Sequence, residues 1–322
     1  MRAWRSPAFW LIPAATALVG AWPFVTRSAS TREVFFTVLM AVALASSLNI
    51  LLGYTGYVSF GHIVFFGLGG YVGFYLMSAQ GASLYLSLLA GGLTAGTLAF
   101  VLGKAILRLR GAYFALATIG VNEAARGFVN NFDPFGGPIG MSLHFQVYND
   151  YGGAAEALWT VYRILLVLTV GVLLMSFLVR WSRFGLGLMA IRENEDAAEV
   201  MGVVAPSAKT WAYVLSAIVP GMIGVLFFFK NGNVEPGDAF RLHMSIETIV
   251  MVMLGGQGTV LGPLVGAAGY QRLRGLLLVS PVFKNIQLAV AGAMLLAIIL
   301  FVPAGVVGWV RQRLPRLRRI LE

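Results

Sequence analysis

Glu123 and Glu247 stand inside otherwise apolar stretches. An acid at membrane depth is costly and by default marks a path for ions, protons or a polar solute. Arg126 lies three residues beyond Glu123, on the same face of a helix, so an ion pair is the other reading. Glu247 is close to His243, which also fits a place at the membrane interface. His62 follows a glycine-rich break; a solute ligand and a helix-packing donor both fit it. Asn49, Ser59 and Thr118 are neutral polar groups inside similar stretches, suited to hydrogen-bonding a substrate or their neighbours. None of this makes a catalytic constellation. The chain has no cysteine, which excludes disulfides, thiolate metal sites and Cys nucleophiles. His62, His144 and His243 lie far apart and show no metal-ligand spacing. No G-x-x-x-x-G-K-[ST], H-E-x-x-H or G-x-S-x-G occurs. The expectation is a protein that is not an enzyme, holds no metal and binds no ATP through a Walker A loop.

The elements that position these residues are membrane helices. The chain has 322 residues, of which 58% are apolar and 11% charged; a soluble domain carries about 25% charge. Mean hydropathy is +0.81. The fold class is therefore all-α and polytopic, a single transmembrane domain over residues 1–322. The net charge of +10 sits beside apolar stretches, which fits membrane topology and not nucleic acid. Uncharged spans are expected at Ala8–Val25, Val34–Leu52, Val58–Met77, Leu84–Gly103, Ile164–Val179, Trp211–Phe229 and Ile286–Val302. Gly111–Val129 is a further span despite Glu123 and Arg126. Ser245–Leu254 is too short to cross alone and continues after a break as Val260–Tyr270. The count comes to about ten transmembrane or partly spanning helices.

Charge sets the expected orientation. The N-terminus, Lys104–Arg110, Arg180–Lys209 and the C-terminus together hold 14 of the 23 Lys and Arg, so these are placed inside. Loop 181–209 is then cytoplasmic and loop 130–160 periplasmic. The basic tail 311–322 anchors to anionic membrane lipid.

Two features stand out along the chain. Leu52–Val58 and Leu254–Val260 both read L-G-x-x-G-x-V. Paired Gly-interrupted segments point to a transport site, or to ordinary glycine-mediated packing. They bring Gly53, Gly56, Tyr57 and Gly61 of one break and Gly255, Gly256 and Gly258 of the other into the candidate pathway. The second feature is Trp181–Pro206, a long polar stretch between strongly apolar segments. Ala190, Ala197, Met201 and Val204 recur at helical spacing, with Glu193, Glu195, Asp196 and Glu199 on the polar side. Acidic in its middle, the helix reads as a docking element in preference to a lipid-surface one.

The stretches Leu48–Tyr71, Leu107–Gly140, Ser182–Gly202 and Ser245–Gly266 together resemble the LivM-type permease subunit of branched-chain amino-acid ABC transporters. The likeness runs from about residue 34 to 303. It implies an ATP-driven importer with alternating access and ATP-Mg bound on partner subunits. The implied partners are a sister permease, two ABC ATPase subunits and a periplasmic substrate-binding protein, at a bacterial inner membrane with both termini cytoplasmic. It also places the ATPase-coupling element on Arg192–Gly202. There Asp196-Ala197-Ala198-x-x-x-Gly202 is similar to the E-A-A-x-x-x-G pattern of coupling loops, with Asp196 in place of Glu. Arg192, Glu193, Glu195 and Met201 complete that set. Tyr57 stands where many members have Gln, and Ala112 where many have Asp, which leaves the cargo open between branched-chain or similar small amino acids and urea or short amides. A secondary transporter using Glu123 and Glu247 as cation sites is the alternative from another class.

Overall fold

The computed structural model describes residues 7–279, 292–293, 296 and 305–313. Most of the expected span Ile286–Val302, all of the basic start Met1–Arg5 and most of the basic tail lie outside the described residues. Helix dominates the rest: α1 (Pro7–Gly20), α2 (Trp22–Thr26), α3 (Ala29–Thr55), α4 (Ile63–Gln80), α5 (Leu84–Ile106), α6 (Ala112–Asn130) and α7 (Ala154–Arg180) come first. Then follow α8 (Arg183–Glu193), α9 (Glu195–Val200), α10 (Ala205–Asn231), α11 (Pro236–Ala239), α12 (Leu242–Gly255), α13 (Leu261–Val279) and α14 (Gly305–Arg313). Among the described residues, six segments are long and apolar enough to cross a membrane: α1–α2, α3, α4, α5, α7 and α10. The expected span at Gly111–Val129 does form a helix, α6. Its Asn122, Glu123 and Arg126 keep it out of that group. At 14 residues, α12 reaches only about 21 Å, against about 30 Å of bilayer hydrocarbon. The third expected span is shorter than its apolar run, because residues 56–62 leave regular helix before α4 begins.

The chain forms two compact units interleaved in sequence. The first takes residues up to Gly56, Leu168–Val203 and those from Ile246 on. Its central helix is α3. Ser28 caps the N-terminus by accepting from the Thr31 amide. Gly56 ends the helix at φ +78°, its amide bonded to the Leu52 carbonyl. That left-handed cap suits glycine, which has no Cβ to clash. From Ala41 to Thr55 every α3 residue is buried. This accounts for its lack of an exposed polar face, as a helix enclosed on all sides needs none. α3 packs on α13 and α8. α1 packs Phe9 and Ile12 against Leu173 and Phe177 of α7 and against Val260.

The second unit comprises Tyr57–Val167 and Val204–Ser245. α4, α5 and α10 form its core, meeting along a seam of glycines. A Cβ on Gly69 would lie 2.6 Å from the Gly221 Cα and 2.8 Å from the Gly91 carbonyl oxygen. No side chain fits there. Without a hydrophobic drive between helices in lipid, such close backbone approach is what holds them together. The loop after α6 is fastened to this core. Met141–Ser142 (β1) pairs antiparallel with Asn233–Val234 (β2), Met141 opposite Val234. Tyr148 donates to the Phe229 carbonyl at 2.8 Å, and burial pushes its phenol above the ordinary tyrosine value.

Candidate functional site

In the first unit the two L-G-x-x-G-x-V segments meet at a polar junction. Asn49 lies on α3 one turn before Gly53. Its Nδ2 donates to the Thr259 carbonyl at 3.0 Å, and its Oδ1 accepts from the Gly258 amide at 2.9 Å. One buried side chain thereby satisfies both a donor and an acceptor of backbone that has left helix between α12 and α13. Thr259 Oγ1 donates to the Gly256 carbonyl and accepts from the Gly262 amide, closing the turn into α13. Gly256 and Gly258 have φ of +119° and +77°, values that L side chains rarely adopt.

Two arginines complete the junction. Arg192, at the end of α8, donates from Nη1 to the Gly53 carbonyl at 2.7 Å. Arg180, the last residue of α7, donates to the Gly258 carbonyl. A Cβ on Gly258 would lie 2.7 Å from Arg192 Nη1, and one on Gly53 would lie 2.6 Å from the Gly258 amide. Irregular backbone is tolerated in an apolar setting only where such groups are bonded internally. Cations over helix-terminal carbonyls are favourable in addition.

The segment Trp181–Pro206 is two helices and not one amphipathic helix. Ser182 caps α8 by accepting from the Gly185 amide at 3.0 Å. Asn194 then takes extended backbone and caps α9, accepting from the Ala197 amide at 3.0 Å. Asparagine favours such caps because its side chain replaces a missing helix bond. The break means that Ala190 does not share one helix face with Ala197 and Met201. On α9 and its exit, Ala198 is 4% exposed, while Val200 is 88%, Met201 84% and Val204 68% exposed. Ala197, Asp196 and Glu199 are exposed, Glu193 is exposed at the end of α8, and Glu195 is half-buried. Gly202 closes the segment at φ +90°. Arg192 thus points into its own unit, and Ala198 faces inward as well.

In the second unit residues 57–62 form the other polar surface. Thr118 Oγ1 accepts from the Phe60 amide at 3.1 Å and donates to the Ala115 carbonyl. Gly61 sits against the Thr118 backbone with no room for a Cβ. His62 Nε2 donates to the Ser216 carbonyl at 2.9 Å, which makes it a packing donor, with its ring edge-on to Phe65. Ser59 is buried. The Lys209 ammonium donates to the Tyr57 hydroxyl and the Leu107 carbonyl, both at 2.9 Å, and lies 4.8 Å from the Tyr57 ring centre.

The two acids part company. Glu123 lies 3.7 Å from Arg126, and its side chain is 56% exposed on this chain. It shares an outward face of α6 with Tyr113, Leu116 and Gly120, while Phe114, Thr118 and Asn122 face inward. Glu247 is buried in the first unit, bonded to the Tyr270 hydroxyl at 3.1 Å and to Arg274 at 3.2 Å. That is a closed ion pair between α12 and α13. Among the described residues no group of three or more His, Asp or Glu could hold a metal.

Reasoning from sequence missed Arg180, Lys209, Tyr270 and Arg274 as site residues. For Arg180, Lys209 and Arg274 the only signal was basic charge at segment ends, which also reads as topology; Tyr270 gave none.

A family model described as "Branched-chain amino acid transport system / permease component" matches residues 30–299. The chain is 28% identical to the LivM permease protein of the high-affinity branched-chain amino acid transport system of Escherichia coli K12, covering 92% of this chain and 74% of that protein. It is 25% identical to the L-arabinose ABC transporter permease protein AraH of Azospirillum brasilense, over 68% of this chain and 64% of that one. It is also 25% identical to the E. coli K12 LivH permease protein, over 45% of this chain and 46% of that protein. No solved structure gives a significant match.

Proposed function

The chain belongs to the family of permease components of branched-chain amino acid transport systems, and on that premise we propose how it works and what it carries. It is the membrane subunit of an ATP-driven importer for branched-chain or similar small amino acids. It pairs with a sister permease, docks two ATPase subunits and takes cargo from a periplasmic binding protein. ATP-Mg binds on those ATPases. The protein sits in the inner membrane with loop 181–209 and both termini in the cytoplasm.

One observation supports the mechanism above others: the end of α9 exposes an apolar knob, and Arg192, where α8 meets α9, holds the Gly53 carbonyl. Val200, Met201 and Val204 seat in an ATPase groove, as flexible or branched apolar anchors do. Glu193, Asp196 and Glu199 meet basic residues at its rim, where charge tunes rate and specificity. When the ATPases close on ATP, α9 moves, and Arg192 carries that movement to the junction of the two glycine breaks. The outward face of α6, with Glu123, lines the path. Nucleotide drives the switch only through its different affinity for the two states.

The test is reconstitution with the sister permease and ATPases in liposomes, following leucine uptake with and without enclosed ATP. ATP-dependent uptake supports the reading. Uptake by the single chain on an ion gradient would replace it with a secondary transporter. Urea bound by the partner binding protein, with no leucine bound, would change the cargo alone. Met201→Asp should release the ATPase from the purified complex while leaving the permease folded. Ala198→Trp tests a different property, since its inward position makes it disturb the fold of α9 itself.

A further inference from the structure

On the outer surface of the second unit, α5 and α10 enclose a groove. Gly92 and Gly96 form its floor, and Leu93, Val101, Ile218 and Met222 its walls, around a cavity of about 550 Å³. A second cavity of about 430 Å³ continues it past Phe100 and Trp211, which line both. Its lining changes character, adding Lys104, Arg108 and Ser207. Neither lining contains an acid.

Each feature narrows the occupant. The apolar part runs along α5 from Leu89 to Val101. The twelve rises between them, at 1.5 Å each, make about 18 Å, close to the ~15 Å of hydrocarbon in one leaflet. Lys104 stands in the last turn of α5 and Arg108 in the turn just past its end, and both line the second cavity. Both are exposed, and the Lys104 ammonium lies 4.4 Å from the Phe100 ring centre. α10 starts at the same end, and its N-cap Val204 has no side chain to bond the free first-turn amides. That leaves partial positive charge beside the two cations. Trp211 is half exposed where the apolar groove gives way to the charged end, the place that indole rings take in membranes.

We propose that this groove is a specific site for an anionic phospholipid, with one acyl chain lying between α5 and α10 and the phosphate held by Lys104, Arg108 and the start of α10. The site is independent of the cargo and of the ATPases.

Native mass spectrometry of the purified transporter complex, titrated with phosphatidylglycerol or phosphatidylcholine of matched chains, tests it. The wild type should retain one phosphatidylglycerol at concentrations at least tenfold below those needed for phosphatidylcholine. Lys104→Gln/Arg108→Gln should abolish that preference. Arg163→Gln/Arg241→Gln, which removes as much charge elsewhere, should keep it. Thr97→Trp, projecting from an exposed groove position, should weaken retention of both lipids. Equal retention of the two lipids by the wild type would overturn the proposal, as would an undiminished preference in Lys104→Gln/Arg108→Gln. Efficient cross-linking of Thr97→Cys to the sister permease in delipidated complex would show the groove covered by protein, and would overturn it too.

Discussion

Glycine does two opposite things in this protein. Along the seam of α4, α5 and α10, Gly69, Gly91 and Gly221 are helical and serve only to remove side chains, so that backbones touch. At the junction of the first unit, Gly256 and Gly258 supply left-handed backbone; Asn49 and Arg180 bond the polar groups thus freed, and Arg192 bonds the Gly53 carbonyl at the end of α3. The seam is close backbone packing with no room for a side chain. The junction is built from hydrogen bonds between side chains and backbone groups, which can take other partners when the backbone moves. A protein that must hold one shape and also switch therefore places packing glycines where it is to stay rigid, and hydrogen-bonded glycines where it is to move.

The largest effect expected from breaking this contrast is at the seam. Gly221→Leu forces a side chain into backbone and should prevent stable folding, seen as loss of monodisperse protein on size-exclusion chromatography. A well-folded Gly221→Leu would show the seam to be plastic. Next comes the junction. Arg192→Gln should lower uptake per ATP hydrolysed by tenfold or more, about 1.4 kcal/mol of coupling. The complex should still assemble, and Arg192→Lys should recover part of the loss. Assembly and uptake failing together would make Arg192 a structural residue like those of the seam. Smaller in its effect on uptake is Tyr57→Phe, which removes one hydrogen bond from the buried Lys209 ammonium. Bonds to charged groups contribute about 1.5–3 kcal/mol, so the melting temperature in matched detergent should fall by several degrees. The smallest change is expected for Glu123→Gln. Its pair with Arg126 is exposed on this chain, and such pairs contribute less than about 1 kcal/mol. Stability should hardly move. A fall in uptake with stability unchanged would sharpen the reading of α6 as a wall of the path.

How much was visible beforehand depended on the range of the interaction. Spans such as α3, α5 and α10 follow from uninterrupted apolar runs, while the caps that set the ends of α3, Ser28 and Gly56, lie outside its run. The break at 256–260 was legible because glycine density is itself local. The same locality misled at Trp181–Pro206. Its spacing is helical throughout, yet Asn194 has a stronger preference for starting a helix than for continuing one. Asn49 could be singled out as a polar residue at depth. Its partners, 209 and 210 residues on, leave no trace in its neighbourhood. Arg274 pairs with Glu247, 27 residues before it, and nothing in its own neighbourhood signals that pairing. Lys209 looked like a surface charge until its burial was seen.

The reach of Asn49 has a consequence for biosynthesis. α3 enters the membrane early, but the backbone that satisfies its amide is more than 200 residues downstream. At about 5–20 residues per second, translation takes tens of seconds to deliver it. During that interval an amide side chain and the end of α3 must be shielded from lipid, where unbonded polar groups cost several kcal/mol. A nascent chain stalled before Gly258 is therefore a distinct species with an exposed polar defect. It is the form that membrane chaperones and quality-control proteases are best placed to recognise.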